Sequence, residues 1–179
     1  SVASSWVPYR DGRWTWLDPW GWTWVDNAPW GYAPFHYGRW VHVNKRWAWA
    51  PGRHDRHRRP VWAPALVGWI GGSGWNLNFD GRNPRAAQGW YPLSPRERFV
   101  PGYRTSDDHV RRLNDHAGRK DGRRGGDGHR RDGLTVVPHE QFGHRGGVVV
   151  PRAPRLSPPP LALQNAPGVA TPGVAPAGP

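Results

Sequence analysis

The sequence predicts an all-β protein: a small domain of Trp-rich antiparallel hairpin repeats arranged as a meander, followed by a largely disordered C-terminal tail. The first observation is that nine of the fourteen tryptophans lie between residues 13 and 49, many of them two residues apart. A spacing of two places both rings on one face of a β-strand. Secondly, no segment before residue 104 has a helical periodicity of useful length. Thirdly, no tryptophan follows Trp90.

The segment from Arg13 to Asp26 is the clearest predicted hairpin. Its two halves, Arg-Trp-Thr-Trp-Leu and Trp-Thr-Trp-Val, alternate aromatic with β-branched or aliphatic residues, as strands do. Between them, Asp18-Pro19-Trp20-Gly21 has the residue preferences of a type I turn, with Pro in the second position and Gly in the fourth. We therefore expect an antiparallel pair with its tryptophans on one face.

A second hairpin repeats the first at an offset of about 25 residues. Gly38-Arg39-Trp40 matches Gly12-Arg13-Trp14, and Trp47-Ala48-Trp49 matches Trp22-Thr23-Trp24, with a turn expected at Asn44-Lys45. Short units of this kind do not bury an apolar face alone and must stack on neighbours. The paired tryptophans are accordingly assigned to the structural core: Trp14, Trp16, Trp22, Trp24, Trp40, Trp47 and Trp49.

Further strands are expected before residue 104. Residues 61–70 are apolar, and Pro64 among them favours an edge or bulged strand. Gly71-Gly-Ser-Gly74 suggests a flexible turn, and Trp75 to Phe79 alternates cleanly. One or two short strands are expected between residues 89 and 101.

The rest of the chain changes in composition. Residues 1–104 form the predicted Trp-rich domain, and residues 105–133 mix Arg, Asp and Gly with few apolar residues, which predicts a disordered basic linker. Residues 134–150 contain a short extended segment, and whether it docks on the sheet is left open. Residues 151–179 are rich in Pro and Ala and are expected to be a disordered tail.

Composition limits the chemistry. The chain has no cysteine, so thiol catalysis and Cys-ligated zinc are excluded, and no apolar run approaches the roughly 20 residues of a membrane span. No paired carboxylates, activated nucleophile or phosphate loop emerges, so no enzymatic activity and no cofactor are predicted. The net charge of +12 favours polyanions such as nucleic acid or acidic wall polymers without choosing among them. Residue 1 is Ser, which suggests a processed form or a fragment.

Two tryptophans lie outside the pairs and are the candidate ligand-stacking residues. Trp20 occupies the predicted tip of the first hairpin, and Trp30 lies in the Pro29-Trp30-Gly31 loop. Exposed aromatic rings stack on sugars or nucleobases. The alternative is that all tryptophans serve the core, because a chain poor in Leu and Ile needs bulky side chains to fill its interior.

A basic excursion at residues 53–59 is the candidate polyanion-contacting segment. Its His54-Asp55 and His57 have the types of a metal cluster, but the surrounding cations oppose metal binding. Arg123-Arg124-Gly125-Gly126 resembles RGG-type segments, yet neighbouring aspartates favour a solvated linker. The candidate contacts are Arg53, Arg56, Arg58 and Arg59.

Several long motifs carry a family resemblance. Residues 8–52 (PYRDGRWTWLDPWGWTWVDNAPWGYAPFHYGRWVHVNKRWAWAPG), followed by PVWAPALVGWIGG, GWYPLSPRERFVPGYR and TVVPHEQF, resemble a Trp-rich domain-of-unknown-function family of bacterial envelope proteins. The domain is usually found C-terminal to a FecR-like domain. The resemblance implies a periplasmic or secreted location. It supplies no catalytic or ligand residues.

Together these observations favour a non-enzymatic structural or interaction module of the cell envelope in a FecR-associated protein. It would contact an anionic cell-wall polymer or a partner protein. The alternative is nucleic-acid binding through the basic loop at residues 53–59 and the Arg/Gly-rich tail.

Overall fold

A computed structural model describes residues 5–52, 59–115, 127–142, 148–149 and 168–169. The predicted all-β class is confirmed: the described strands form three antiparallel sheets, with a few short helices between them. The sheets have the orders β2-β1-β8, β3-β4 and β7-β6-β5-β9. The elements are β1 Gly12–Leu17, β2 Gly21–Asp26, α1 Ala33–His36, β3 Arg39–Val43, β4 Arg46–Ala50, β5 Val67–Leu77, β6 Arg85–Pro92, α2 Asp107–Leu113, α3 Asp127–Gly133, β7 Thr135–Pro138, α4 His139–Phe142, β8 Val148–Val149 and β9 Gly168–Val169.

The first hairpin has the predicted register. Trp14 pairs with Trp24 and Trp16 with Trp22, so the four rings share one face. Asp18–Gly21 connects the two strands, as predicted, and the Asp18–Pro19 peptide is cis. Trp20 lies in this connection.

The second hairpin turns where predicted. Asn44 and Lys45 both have positive φ, of 50° and 61°, as the two central residues of a type I′ turn require. Such a two-residue connection matches the right-handed twist of the flanking strands. It sets the register in which Trp40 opposes Trp49 and His42 opposes Trp47.

Steric packing explains why each repeat begins with a glycine. A Cβ on Gly12 would meet the backbone oxygen of Val25 and the ring of Trp24, and a Cβ on Gly38 would meet the backbone oxygen of Ala50 and the ring of Trp49. The returning strand's last tryptophan therefore closes over the glycine that begins the hairpin. This packing explains why the sequence repeat includes Gly as well as Trp.

The Gly-rich segment at residues 71–74 is not the turn that the sequence suggests. It lies inside β5, where the pairing with β6 shifts register between Gly71 and Asn76. Gly71, Gly72 and Gly74 all have positive φ. Glycine tolerates this backbone without steric cost, so the strand bulges and continues to Leu77 instead of reversing.

Five of the seven tryptophans assigned to the core are buried: Trp14, Trp22, Trp24, Trp40 and Trp47. Two assignments need correction. Trp16 is only half-buried and packs against the edge of the core. Trp49 is 36% exposed. Its ring lies over the backbone at Gly38, and its Nε1 donates a hydrogen bond to the carbonyl of Tyr37 at 2.9 Å. It closes the open end of the second hairpin instead of filling the interior.

The folded unit extends beyond the boundary predicted at residue 104. Residues 107–113, within the predicted linker, form α2, and its Leu113 is buried among core residues. β7 pairs with β6, so residues 135–138 do dock on the sheet, and Phe142 of α4 is buried beside the core tryptophans. The remainder of the linker at 116–126 and most of the 151–179 tail lie outside the described residues.

Candidate aromatic binding surface

Trp20, the first candidate ligand-stacking residue, lies at the tip of the β1–β2 hairpin with 42% of its surface exposed. Its ring meets that of Trp62 edge to face, with centroids 5.2 Å apart and an interplanar angle of 70°. Trp62 belongs to the irregular segment before β5. A hairpin tip and a distant connecting segment therefore present adjacent indole rings.

A third ring joins this pair. The Trp62 Nε1 donates a hydrogen bond to the Tyr32 hydroxyl at 2.6 Å, and Tyr32 is 60% exposed. Large aromatic rings have few rotatable bonds, so this bond and the ring contact hold the side chains in place at little entropic cost. We call the exposed Trp20 and Tyr32, together with the half-buried Trp62 between them, the aromatic surface.

His36 of α1 forms the floor beneath the aromatic surface. Its buried ring stacks on Tyr32 at 4.0 Å and on Trp62 at 5.5 Å, with interplanar angles of 26° and 12°. Its Nδ1 lies 2.8 Å from the carbonyl oxygen of Ala63. Burial lowers the pKa of His36, against the opposing effect of backbone hydrogen bonds to Ala63 and Trp24, so the ring is neutral at pH 7.

Trp30, the second candidate ligand-stacking residue, belongs to a separate cluster. It is 46% exposed, stacks on buried Phe35 at 5.9 Å and meets Trp6 edge to face at 5.1 Å. Because Phe35 and His36 are consecutive in α1, the two clusters lie beside each other. Trp30 shields the core on one side of this short helix, whereas Trp20 adjoins the other rings of the aromatic surface.

The candidate polyanion-contacting segment is described only at its last residue. Arg59 is exposed, and its backbone carbonyl accepts a hydrogen bond from Nη2 of Arg112 at 2.9 Å. Arg53, Arg56 and Arg58 lie outside the described residues, as do His54, Asp55 and His57. Of the two candidate sites, only the aromatic surface consists entirely of described residues.

Tyr32 and Trp62 were not singled out from the sequence. Both lie outside the Trp pairs, in Pro-containing segments 30 residues apart. The sequence did contain a local signal, because each of these aromatic residues lies in a short Pro-containing segment outside the two predicted hairpins. Their proximity is a tertiary contact, which no spacing along the chain encodes.

A shallow cleft of about 230 Å³ lies elsewhere, beside β5 and β6, and contains the Glu97 carboxylate. Glu97 Oε1 accepts from the Arg130 guanidinium at 2.8 Å and from the Tyr91 hydroxyl at 3.4 Å, while Oε2 accepts from the Ser94 backbone N–H at 2.9 Å. This carboxylate anchors α3 to the sheet. Among the described residues, no group of three or more His, Asp or Glu side chains is arranged to hold a metal ion.

Comparison with known protein families identifies the family of this chain. A family model described as a family of unknown function, DUF6600, matches residues 1–97. The chain belongs to the DUF6600 family. The matched region of this DUF6600 protein contains both hairpins, the whole aromatic surface and the paired strands β5 and β6, whereas α2, β7 and α4 lie beyond it.

No curated protein and no solved structure matches the chain. In the parts of the DUF6600 protein that are described, none of the helices has the length and apolar character needed to cross a membrane.

Proposed function

We propose that this DUF6600 protein is a non-enzymatic interaction module of the bacterial cell envelope, periplasmic or secreted, within a FecR-associated protein. Its contact surface is the aromatic surface, and its ligand is an envelope polymer or a partner protein. The observation that carries the proposal is the contact of Trp20 with Trp62 and of Trp62 with Tyr32, in which Trp20 and Tyr32 are exposed and Trp62 is half-buried.

The aromatic surface is preorganised for binding. The exposed rings of Trp20 and Tyr32 are held in place by a ring contact and a hydrogen bond to the half-buried Trp62, and by the stacked His36 below. Rigid aromatic groups of this kind provide contact area at low entropic cost, and their faces stack on the apolar faces of sugar rings. The net charge of +12 supports an anionic polymer through long-range attraction.

The non-enzymatic part of the proposal is supported by Glu97. Its carboxylate is hydrogen-bonded through both oxygens and holds α3 in place, so its described contacts serve the fold. The envelope location and the FecR association are supported by the resemblance of the Trp-rich motifs. Fractionation of cells that express the full-length parent tests the location, and recovery in the cytoplasm contradicts it.

Cosedimentation with purified cell-wall polymer tests the ligand. Trp20→Ala and Trp62→Ala should each weaken binding about tenfold, a loss of ~1.4 kcal/mol. Trp49→Ala is the matched control, because Trp49 is similarly exposed but lies on the second hairpin. Equal binding by Trp20→Ala and the unchanged chain contradicts the proposal.

Nucleic-acid binding is the second candidate, and the charge of +12 is the observation that favours it. Counterion release makes such binding fall steeply with salt, whereas aromatic stacking on a glycan is nearly independent of salt. Titration of single-stranded DNA at two salt concentrations separates the two. Strong salt-dependent binding that survives Trp20→Ala favours the nucleic-acid function.

A further inference from the structure

The shallow cleft of about 230 Å³ lies where β5 begins and β6 ends, and no residue of the aromatic surface lines it. Val67 and Leu93 give the cleft a buried aliphatic lining. Val100, which also lines it, is 63% exposed, the largest fraction among the large apolar side chains that the structure describes. Clefts with an apolar lining and a few polar groups are the usual form of small-molecule sites.

The charged groups of the cleft leave one cation available. The lining contains one carboxylate, that of Glu97, and the guanidinium groups of Arg98 and Arg130. Both oxygens of Glu97 accept hydrogen bonds, and Arg130 is its ion-pair partner at 2.8 Å. Arg98 is exposed, and no described residue forms a hydrogen bond or an ion pair with its guanidinium. The cleft therefore has a net positive charge, and Arg98 can bind an anion there.

The backbone that carries Arg98 and Val100 is fixed by Asn114. Phe99, between them, is buried, and its N–H donates to Oδ1 of Asn114 at 2.7 Å. The Phe99 carbonyl accepts a hydrogen bond from Nδ2 of the same side chain at 2.9 Å. Asn114 is buried and also donates to the carbonyl of Val110 in α2. Binding in the cleft would therefore require little additional ordering of this segment.

We propose that this cleft binds a small organic acid, a molecule with an apolar body and a carboxylate or phosphate head. Val67, Leu93 and Val100 contact the body, and the Arg98 guanidinium binds the head. A planar guanidinium pairs with either head group through two parallel hydrogen bonds. A cavity of about 150 Å³ holds benzene, so a cleft of about 230 Å³ has room for a body of roughly nine non-hydrogen atoms.

The body and the head of such a ligand contribute differently. Contact with the aliphatic lining removes the body from water and supplies most of the affinity. Arg98 is exposed to solvent, where an ion pair is screened, so it should add a preference for anions of about threefold to fivefold. Because the cleft is shallow and the ligand small, we expect dissociation constants on the order of millimolar.

The inference concerns a site apart from the aromatic surface and does not rest on the proposed function. The module would hold an envelope ligand on the aromatic surface and a small acid in the cleft. Trp20→Ala separates the two sites, because Trp20 does not line the cleft. This variant should bind the acid as the unchanged chain does, whatever the outcome of cosedimentation with cell-wall polymer.

NMR titrations of the full chain with ¹³C-labelled methyl groups test the proposal. Hexanoate and hexyl phosphate are the anionic probes, and hexanol and hexylammonium present the same alkyl chain with a neutral or a positive head. The anions should shift the methyl signals of Val67, Leu93 and Val100 saturably, but not those of Leu17, which is exposed at the end of β1. Hexanol should bind about threefold to fivefold more weakly, and hexylammonium more weakly still. The ratio of the two anions distinguishes a carboxylate ligand from a phosphate.

Arg98→Gln should remove the preference for hexanoate over hexanol and leave the binding of hexanol unchanged. Arg82→Gln is the matched control, because Arg82 is also exposed but lies in the loop at the other end of the β5–β6 pair. It should retain the preference. Both side chains are exposed, so both variants should fold, and their methyl spectra without probe check this.

Four results would overturn the proposal. Absence of saturable shifts at Val67, Leu93 and Val100 would mean that the cleft binds no such molecule. Equal dissociation constants for hexanoate, hexanol and hexylammonium would mean that charge does not select the head. An unchanged preference for hexanoate in Arg98→Gln would mean that another group binds the acid. Loss of hexanoate binding in Trp20→Ala would place the probe on the aromatic surface.

Discussion

The indole Nε1 of Trp90 donates a hydrogen bond to the backbone carbonyl of Tyr9 at 2.8 Å, across 81 residues of sequence. Both side chains are fully buried. Tyr9 has a positive φ of 58°, which is uncommon for a residue other than glycine. The hydrogen bond links the segment before β1 to β6, one of the two inner strands of the four-stranded sheet.

Tyr9→Phe should destabilise the protein by about 1–3 kcal/mol. The Tyr9 hydroxyl donates to the Phe35 carbonyl at 2.9 Å and accepts from the Leu66 N–H at 3.3 Å, so its removal leaves two buried backbone groups unpaired. Urea unfolding at pH 7 measures the loss. Tyr32→Phe is the control, because Tyr32 is mostly exposed, and an equal loss in both variants would contradict the role given to Tyr9.

Trp14→Ala should cost about 3–5 kcal/mol, as expected for removal of a fully buried large side chain. Its ring meets Trp24 at 5.1 Å and Trp90 at 5.5 Å, so the cavity would open at the centre of the aromatic core. Trp49→Ala should cost far less, because that ring is partly solvated. Calorimetric melting of the two variants checks the order, and a reversed order would show that the core was wrongly placed.

Phe142→Ala tests whether the region beyond residue 104 belongs to the fold. The Phe142 ring meets Trp22 at 5.0 Å and Trp69 at 5.5 Å, so its loss should cost about 3–5 kcal/mol. Glu140→Ala, on the same short helix, removes only an exposed ion pair to Arg85 and should cost less than about 1 kcal/mol. Similar denaturation midpoints for the unchanged chain and Phe142→Ala would place α4 outside the cooperative unit.

Gly38→Ala should destabilise more than Gly81→Ala. Both glycines have similar positive φ, of 70° and 77°, so the backbone penalty of about 1–2 kcal/mol is shared. A methyl group on Gly38 would also collide with the Ala50 carbonyl and the Trp49 ring, whereas Gly81 has open space. Unfolding free energies of both variants give the steric contribution as their difference, and a difference near zero would refute the packing explanation of the repeat.

The titration of Asp26 should lower the free energy of unfolding as the pH rises from about 4 to 6. Burial raises the pKa of the Asp26 carboxyl to about 6, so between its unfolded and folded pKa values the native state binds more protons than the unfolded chain. The stabilisation that comes from the tighter proton binding of the folded state at Asp26 is complete below the unfolded pKa of 3.8 and is lost as the pH rises through 6. The slope from this one group is at most about 1.4 kcal/mol per pH unit.

Asp26→Asn isolates this effect, because the other titrating groups are common to both proteins. The unchanged chain should lose stability relative to Asp26→Asn across the window, in addition to a constant offset from altered bonds to Trp24 Nε1 and the Ala28 N–H. Urea titrations at half-unit pH steps measure the difference. A difference that is flat with pH would mean that the carboxyl titrates normally.

The features that the sequence predicts well are local. Alternating tryptophans fix both hairpins, and Asn44-Lys45 marks a turn, because period and turn chemistry act over a few residues. The exposure of Trp20 follows from its place at a hairpin tip. What could not be predicted is tertiary: the bond from Trp62 to Tyr32, the pairing of β7 with β6 and the solvent contact of Trp49 each depend on segments far apart in the chain.

The two-residue strands β8 and β9 have a consequence for solubility. Each pairs with an outer strand, β8 with β1 and β9 with β5, and so covers backbone groups that would otherwise form an open edge. Open edges of Trp-rich strands are templates for pairing between molecules. A chain cut after Phe142 would leave both edges uncovered, and we expect it to be lost from solution by aggregation under conditions in which it is still folded.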